Sequence, residues 1–113
     1  MQSTGPDLQV LANVRGSLLR LYWQAREIRE HQVAYHVLAA VMHAAESLRQ
    51  VEILDEVAAL AREHGKSIDQ GEPGHPLSAQ SASVRGHPGI FEQLAAMCAA
   101  VRARIKAEDL HRK

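Results

Sequence analysis

An all-α fold, a small antiparallel bundle of about four helices, is what this sequence predicts, and three observations carry that expectation. Apolar residues recur at three- and four-residue steps along most of the chain, no segment alternates with period two, and glycine and proline gather in one stretch before the last periodic segment. The 113 residues suffice for one core of their own, so a single helical domain over 1–113 is expected.

The first helix is expected over about 7–30, where Leu11, Val14, Leu18, Leu21, Ala25 and Ile28 form an apolar stripe behind Asp7 as N-cap. Gly16 inside it costs about 1 kcal/mol relative to alanine, which asks for a packing reason. The second helix, about 32–49, carries Val33, Val37, Leu38, Val41, Met42, Ala45 and Leu48 around most of its girth and is assigned the centre of the bundle. The third, about 51–64, holds Leu54, Val57, Ala58 and Ala61, with Gly65 read as the residue just past its end. No glycine or proline separates the second helix from the third. Advancing by ~100° per residue, their apolar stripes point about half a turn apart, which favours a tight turn at Arg49–Gln50 over one continuous rod.

Residues 65–88 contain Gly65, Gly71, Gly74 and Gly86 with Pro73, Pro76 and Pro88. They read as a long Gly/Pro/His-containing loop, with room for a short helix over 77–84. The last helix, about 89–109, opens at Pro88–Ile90 and carries Phe91, Leu94, Cys98, Val101 and Ile105 on one stripe.

Thirteen basic side chains balance thirteen acidic ones, so no overall field draws the chain to phosphate backbones or anionic lipid. The one basic concentration is the tail, Arg102, Arg104, Lys106, Arg112 and Lys113 against Glu108 and Asp109, and it is the only place for nucleic-acid binding. Cys98 is the sole cysteine, which excludes an intramolecular disulfide and suits a reducing compartment. The longest apolar run, Val37–Met42, is far too short for a membrane span, and no signal-peptide layout opens the chain, so a cytoplasmic protein is expected. Ten arginines against three lysines is the codon-driven pattern of a GC-rich bacterial genome.

Seven histidines make a ligand site the first chemistry to consider. His36 and His43 share a helix face, but seven residues of helix rise ~10.5 Å. One zinc holds its imidazole nitrogens at ~2.1 Å, so this pair cannot chelate one ion. His36, His43, Ser47 and Gln50 otherwise form the polar edge of a buried helix. No His-Glu-x-x-His motif appears, and neither a metal nor a cofactor is expected. Gly-His-Pro occurs twice, at Gly74-His75-Pro76 and Gly86-His87-Pro88, where each proline fixes a turn before a helix start. Such loop residues also suit a ligand site, for which His36, His43, His75 and His87 are the candidates, with His64 able to join them. Cys98 lies on an inward stripe, where a thiol behaves as a small hydrophobe, and Ser78, Ser81 and Ser83 lack a Gly-x-Ser-x-Gly setting. No catalytic constellation is visible.

Residues 34–64 contain an aromatic-x-x-Leu-small opening, Tyr35, Leu38, Ala39 and Met42, followed by small residues Ala58 and Ala61. This segment resembles one tetratricopeptide-type helix pair, without a second copy of the unit. The resemblance implies a helical hairpin and, in function, protein binding.

The leading expectation is therefore a non-enzymatic protein-interaction or scaffold module. A metal- or small-ligand-binding bundle using the loop histidines is the alternative, and nucleic-acid binding through the tail the third reading. Leu8, Ala12, Gly16, Leu19 and Trp23 form a second apolar set on the first helix, and they are the expected contacts of a homodimer.

Overall fold

The computed structural model describes residues 5–112. Among them every regular element is an α-helix, and there are five: α1 (Gly5–Glu27), α2 (His31–Leu48), α3 (Val51–Gly71), α4 (Ala79–Val84) and α5 (Ile90–His111). The expected all-α class holds, with five helices in place of about four. The chain divides into two compact units, Met1–Ile53 and Leu54–Lys113.

In the first unit α1 packs against α2. Asp7 is not the N-cap expected of it but lies in the first turn of α1, where its charge still complements the helix dipole. Both helices end in the same device. After α1 the backbone of Arg29 takes φ 61°, Glu30 N–H donates to the Ala25 carbonyl at 3.0 Å and Arg29 N–H to that of Arg26 at 2.9 Å. After α2 the backbone of Arg49 takes φ 56°, Gln50 N–H donates to Ala45 at 2.9 Å and Arg49 N–H to Glu46 at 3.0 Å. These are two Schellman turns with arginine where glycine is usual, each holding a left-handed residue that costs about 1–2 kcal/mol. The second breaks the rod at Arg49–Gln50, where the opposed apolar stripes require it.

The buried residues of α2 are His31, Ala34, Leu38, Val41, Met42, Ala44 and Ala45. At ~100° per residue they span an arc of roughly 160°, as a helix covered on a wide front does. By contrast, α1 buries only Tyr22 and Ala25. Its expected inward stripe is only partly inward: Leu11 and Leu18 are half-buried, whereas Val14, Leu21 and Ile28 are exposed. The reason is angular, because these three lie about 50–90° round the helix from the Leu18–Tyr22–Ala25 centre of packing. Val33, counted as apolar lining of the second helix, is also exposed. Outside the backbone of its own helix, a Cβ placed on Gly16 would meet nothing closer than an Arg20 guanidinium nitrogen at 4.0 Å, so no close approach among the described residues calls for a glycine here.

The second unit departs most from expectation. Helix α3 does not stop at Gly65 but continues to Gly71, burying Leu54, Val57, Ala58, Ala61, His64 and Ile68. A Cβ placed on Gly65 would lie 3.3 Å from Cβ of Phe91, so this glycine serves close approach of α3 to α5 and not termination. The His64 and Phe91 rings lie 4.2 Å apart between centroids, tilted by 35°, and both are fully buried. Near the other end of α3, Asp55 meets Arg102 of α5 at 2.8 Å.

The expected long loop over 65–88 is therefore mostly helix, with only 72–78 and 85–89 outside α3, α4 and α5. Its connecting turns are bonded to themselves. Ser78 is fully buried, its hydroxyl donates to the Pro73 carbonyl at 2.7 Å, and as N-cap of α4 it accepts from Ser81 N–H at 3.0 Å. Asp69 accepts from Ala79 N–H at 2.7 Å, Ser81 Oγ donates to the His75 carbonyl at 2.8 Å, and Arg85 donates to the Pro76 carbonyl at 3.1 Å.

Two sets of substitutions test this architecture in thermal or denaturant melts. Leu38→Ala, at a fully buried position, is expected to cost about 2–5 kcal/mol. Ser78→Ala is expected to cost about 1–3 kcal/mol because it strands buried backbone partners, while Val84→Ala, 86% exposed, stays within ~0.5 kcal/mol. Equal effects at 78 and 84 would mean that the turn is unpacked. For the two helical glycines the signs are expected to oppose: Gly16→Ala raises stability by up to about 1 kcal/mol, whereas Gly65→Ala lowers it because Phe91, pinned against His64, has no room to yield.

Candidate functional site

Taking α1 as a cylinder, its packed face is centred on Leu11, Leu18, Tyr22 and Ala25. Two apolar flanks lie on either side, one centred about 110° away and the other about 70°. One flank is Leu8, Ala12, Gly16, Leu19 and Trp23, the set expected from sequence. Leu8 and Trp23 are exposed, while Ala12, Gly16 and Leu19 are half-buried. Trp23 is partly clothed by its own chain: the Arg26 guanidinium lies over its ring at 5.2 Å, and the Tyr22 ring meets it edge-on at 5.2 Å and 68°. Arg26 also donates to the Tyr22 hydroxyl at 3.2 Å.

The other flank, Val10, Val14 and Leu21, is barer, at 60%, 43% and 49% exposure. Sequence reasoning missed it because a step of three or four residues places a side chain only to within about 60° of a helix face. Val14 and Leu21 thus counted as inward, and Val10 as part of no stripe. The available signal was the seven-residue spacing of Val14, Leu21 and Ile28, which describes a seam of its own beside the packed face.

The histidines do not assemble. His36 and His43 are exposed on α2, His43 Nδ1 lying 3.9 Å from Glu46 Oε1. His75 is half-buried and its Nδ1 accepts from Leu77 N–H at 3.0 Å, so that nitrogen shapes the turn before α4. His87 is exposed and lines a shallow groove of about 180 Å³ with Arg85, Leu77 and Gln93. His64 is not a loop ligand but part of the core against Phe91. Among the described residues no three His, Cys, Asp or Glu side chains are grouped as a metal ion requires.

A larger cleft of about 270 Å³ in the second unit runs along α3 and the start of α5. Leu77 and Phe91 contribute apolar surface, and Arg62, Lys66, Asp69 and Glu92 its charge. Two cations against two anions leave no net sign to select a ligand, and Asp69 already accepts the Ala79 amide.

Cys98 is buried, and burial pushes its thiol from an ordinary value of 9.0 up to about 11, with Arg62 opposing and Asp55 adding to the effect. A thiol so placed is protonated near neutral pH, the form that is a poor nucleophile. The basic tail is partly neutralised by its own unit, since Arg102 pairs with Asp55 at 2.8 Å and Arg112 lies 4.0 Å from Asp109. None of the five described helices is long and apolar enough to cross a membrane.

No protein-family model, curated protein or solved structure matches this chain. The likeness of residues 34–64 to a tetratricopeptide-type pair therefore stays a local resemblance.

The thiol shift carries its own test. In the folded state the proton is held to higher pH than in the unfolded chain, so stability is expected to fall as pH rises from about 9 through about 11. Cys98→Ala is expected to flatten that loss, and labelling of the native protein by a thiol reagent at pH 8 should be far slower than in denaturant. Rapid native labelling would place Cys98 at the surface.

Proposed function

We propose that this chain is a non-enzymatic, cytoplasmic protein-interaction module whose docking element is helix α1. One observation carries the proposal. Of the ten large apolar side chains exposed among the described residues, five (Leu8, Val10, Val14, Leu21 and Trp23) lie on α1, with Ile28 just past its end and Val33 on α2 bringing the first unit to seven.

The magnitude is enough to matter. Fully burying such a side chain is worth about 1.5–3 kcal/mol, so seven at roughly half exposure leave about 5–10 kcal/mol unrealised on each copy. Association costs on the order of 4–15 kcal/mol in lost freedom. The five of these residues on α1, worth about 4–8 kcal/mol at the same rate, reach the lower part of that cost when a partner covers both flanks, whereas the scattered exposed residues of the second unit, Val84, Met97 and Leu110, do not. Arginine on aromatic, as Arg26 lies over Trp23, is also a common composition for an interface centre.

Photo-crosslinking in the intact protein tests the assignment. Benzoylphenylalanine placed at Val10 or Trp23 is expected to give discrete adducts in cells, and none at the still more exposed Val84. Adducts at Val84 with α1 silent would end the proposal.

A further inference from the structure

Resting on the reading of α1 as a docking helix, we infer that the occupant of its Val10–Val14–Leu21 flank is a second copy of the same helix, laid antiparallel across a two-fold axis. The flank reads as a heptad seam, with Asp7, Val14 and Leu21 at one core position and Val10, Ser17 and Gln24 at the other. All six lie on α1, and all but the half-buried Ser17 are exposed.

The pattern is complementary to its own reverse. In an antiparallel pair the two kinds of core position meet, and a register centred between Arg15 and Gly16 sets large apolar residues against each other and places no two charges together. Val10 faces Leu21 of the second copy, Val14 faces Ser17 of the second copy, and Asp7 faces Gln24 of the second copy, each layer occurring twice. Val10 and Leu21 then form two fully apolar layers on either side of two central Val14–Ser17 layers, and Asp7 and Gln24 meet at the two ends, where water reaches them. Ser17 supplies the small side chain that lets Val14 sit deep. Beside the seam Asn13 falls opposite Arg20 of the second copy, so no like charges meet. Along the other edge the half-buried Leu11 and Leu18 extend the apolar surface.

A parallel pair fails on the same residues, because it would stack Asp7 on Asp7, Ser17 on Ser17 and Gln24 on Gln24. Nor does charge oppose the pairing of two copies. Up to residue 53 five arginines (15, 20, 26, 29 and 49) balance five carboxylates (Asp7, Glu27, Glu30, Glu46 and Glu52). The Trp23 flank suits a second copy less, since Ala12, Gly16 and Leu19 are half-covered and Arg26 lies over the tryptophan.

Light scattering and disulfide trapping on the full chain test the seam. The wild type is expected to be dimeric at high micromolar concentration, Val14→Glu and Leu21→Glu monomeric with unchanged helical circular dichroism, and Leu19→Glu still dimeric. In a Cys98→Ala background, mixing Val10→Cys with Leu21→Cys should give a crosslinked heterodimer under mild oxidation. Each alone should not, because in this register two copies of position 10 stand about 16 Å apart along the axis. A monomeric wild type overturns the inference, as does a dimer that survives Leu21→Glu or a Val10→Cys homodisulfide. Crosslinks from α1 in cells together with a monomeric wild type would leave the docking role standing and remove only the second copy as occupant.

Discussion

The backbone of Arg49, held at positive φ, is the constraint on which the rest of this structure depends. Residues 31–71 are strongly helix-forming and contain only Gly65 and Gly71 as weak points, so local propensity favours one long rod. Such a rod would carry its apolar stripe on opposite sides along its length and could not bury both. A left-handed residue at 49, secured by the Ala45 and Glu46 carbonyls, ends α2, and α3 begins two residues further on. Burial of Leu38, Val41 and Met42 before the turn, and of Leu54, Val57 and Ala61 after it, offsets the cost of the strained arginine.

In the second unit the corresponding constraint is a contact. Phe91 lies against His64 and over the bare backbone of Gly65, which brings the start of α5 onto α3. The chain between the two must then return within a short path. It does so through α4 and a set of hydrogen bonds centred on Ser78, with Asp69 capping α4 from α3. The Gly-His-Pro pairs find their explanation here. One histidine accepts the Leu77 amide and shapes a turn, and Gly86, at φ 78°, takes a conformation open to glycine at no steric cost. These residues build a connection before they offer any chemistry.

The first unit shows the opposite economy. Helix α2 is covered on a wide front, whereas α1, the longest helix, hides little more than Tyr22 and Ala25. A helix of 23 residues held by one narrow face, with apolar residues on both sides of it, leaves surface that water solvates poorly. That asymmetry is the observation on which the docking proposal for α1 rests.

The sequence by itself determined the all-α class, four of the five helices to within a few residues except at the end of α3, the break at Arg49–Gln50 and the inward setting of Cys98. Each follows from periodicity or from the angle between successive stripes, which are local quantities. Tertiary structure alone decided that Gly65 lies inside a helix, since a glycine that ends a helix and one that admits a neighbouring ring are identical in sequence. It decided that the expected loop is a packed, hydrogen-bonded connection, because the bonds of Ser78 and Asp69 reach five to ten residues away. It also decided which side of α1 is bare. Four apolar steps round a helix leave several candidate faces, and only the position of α2 selects the one that is covered.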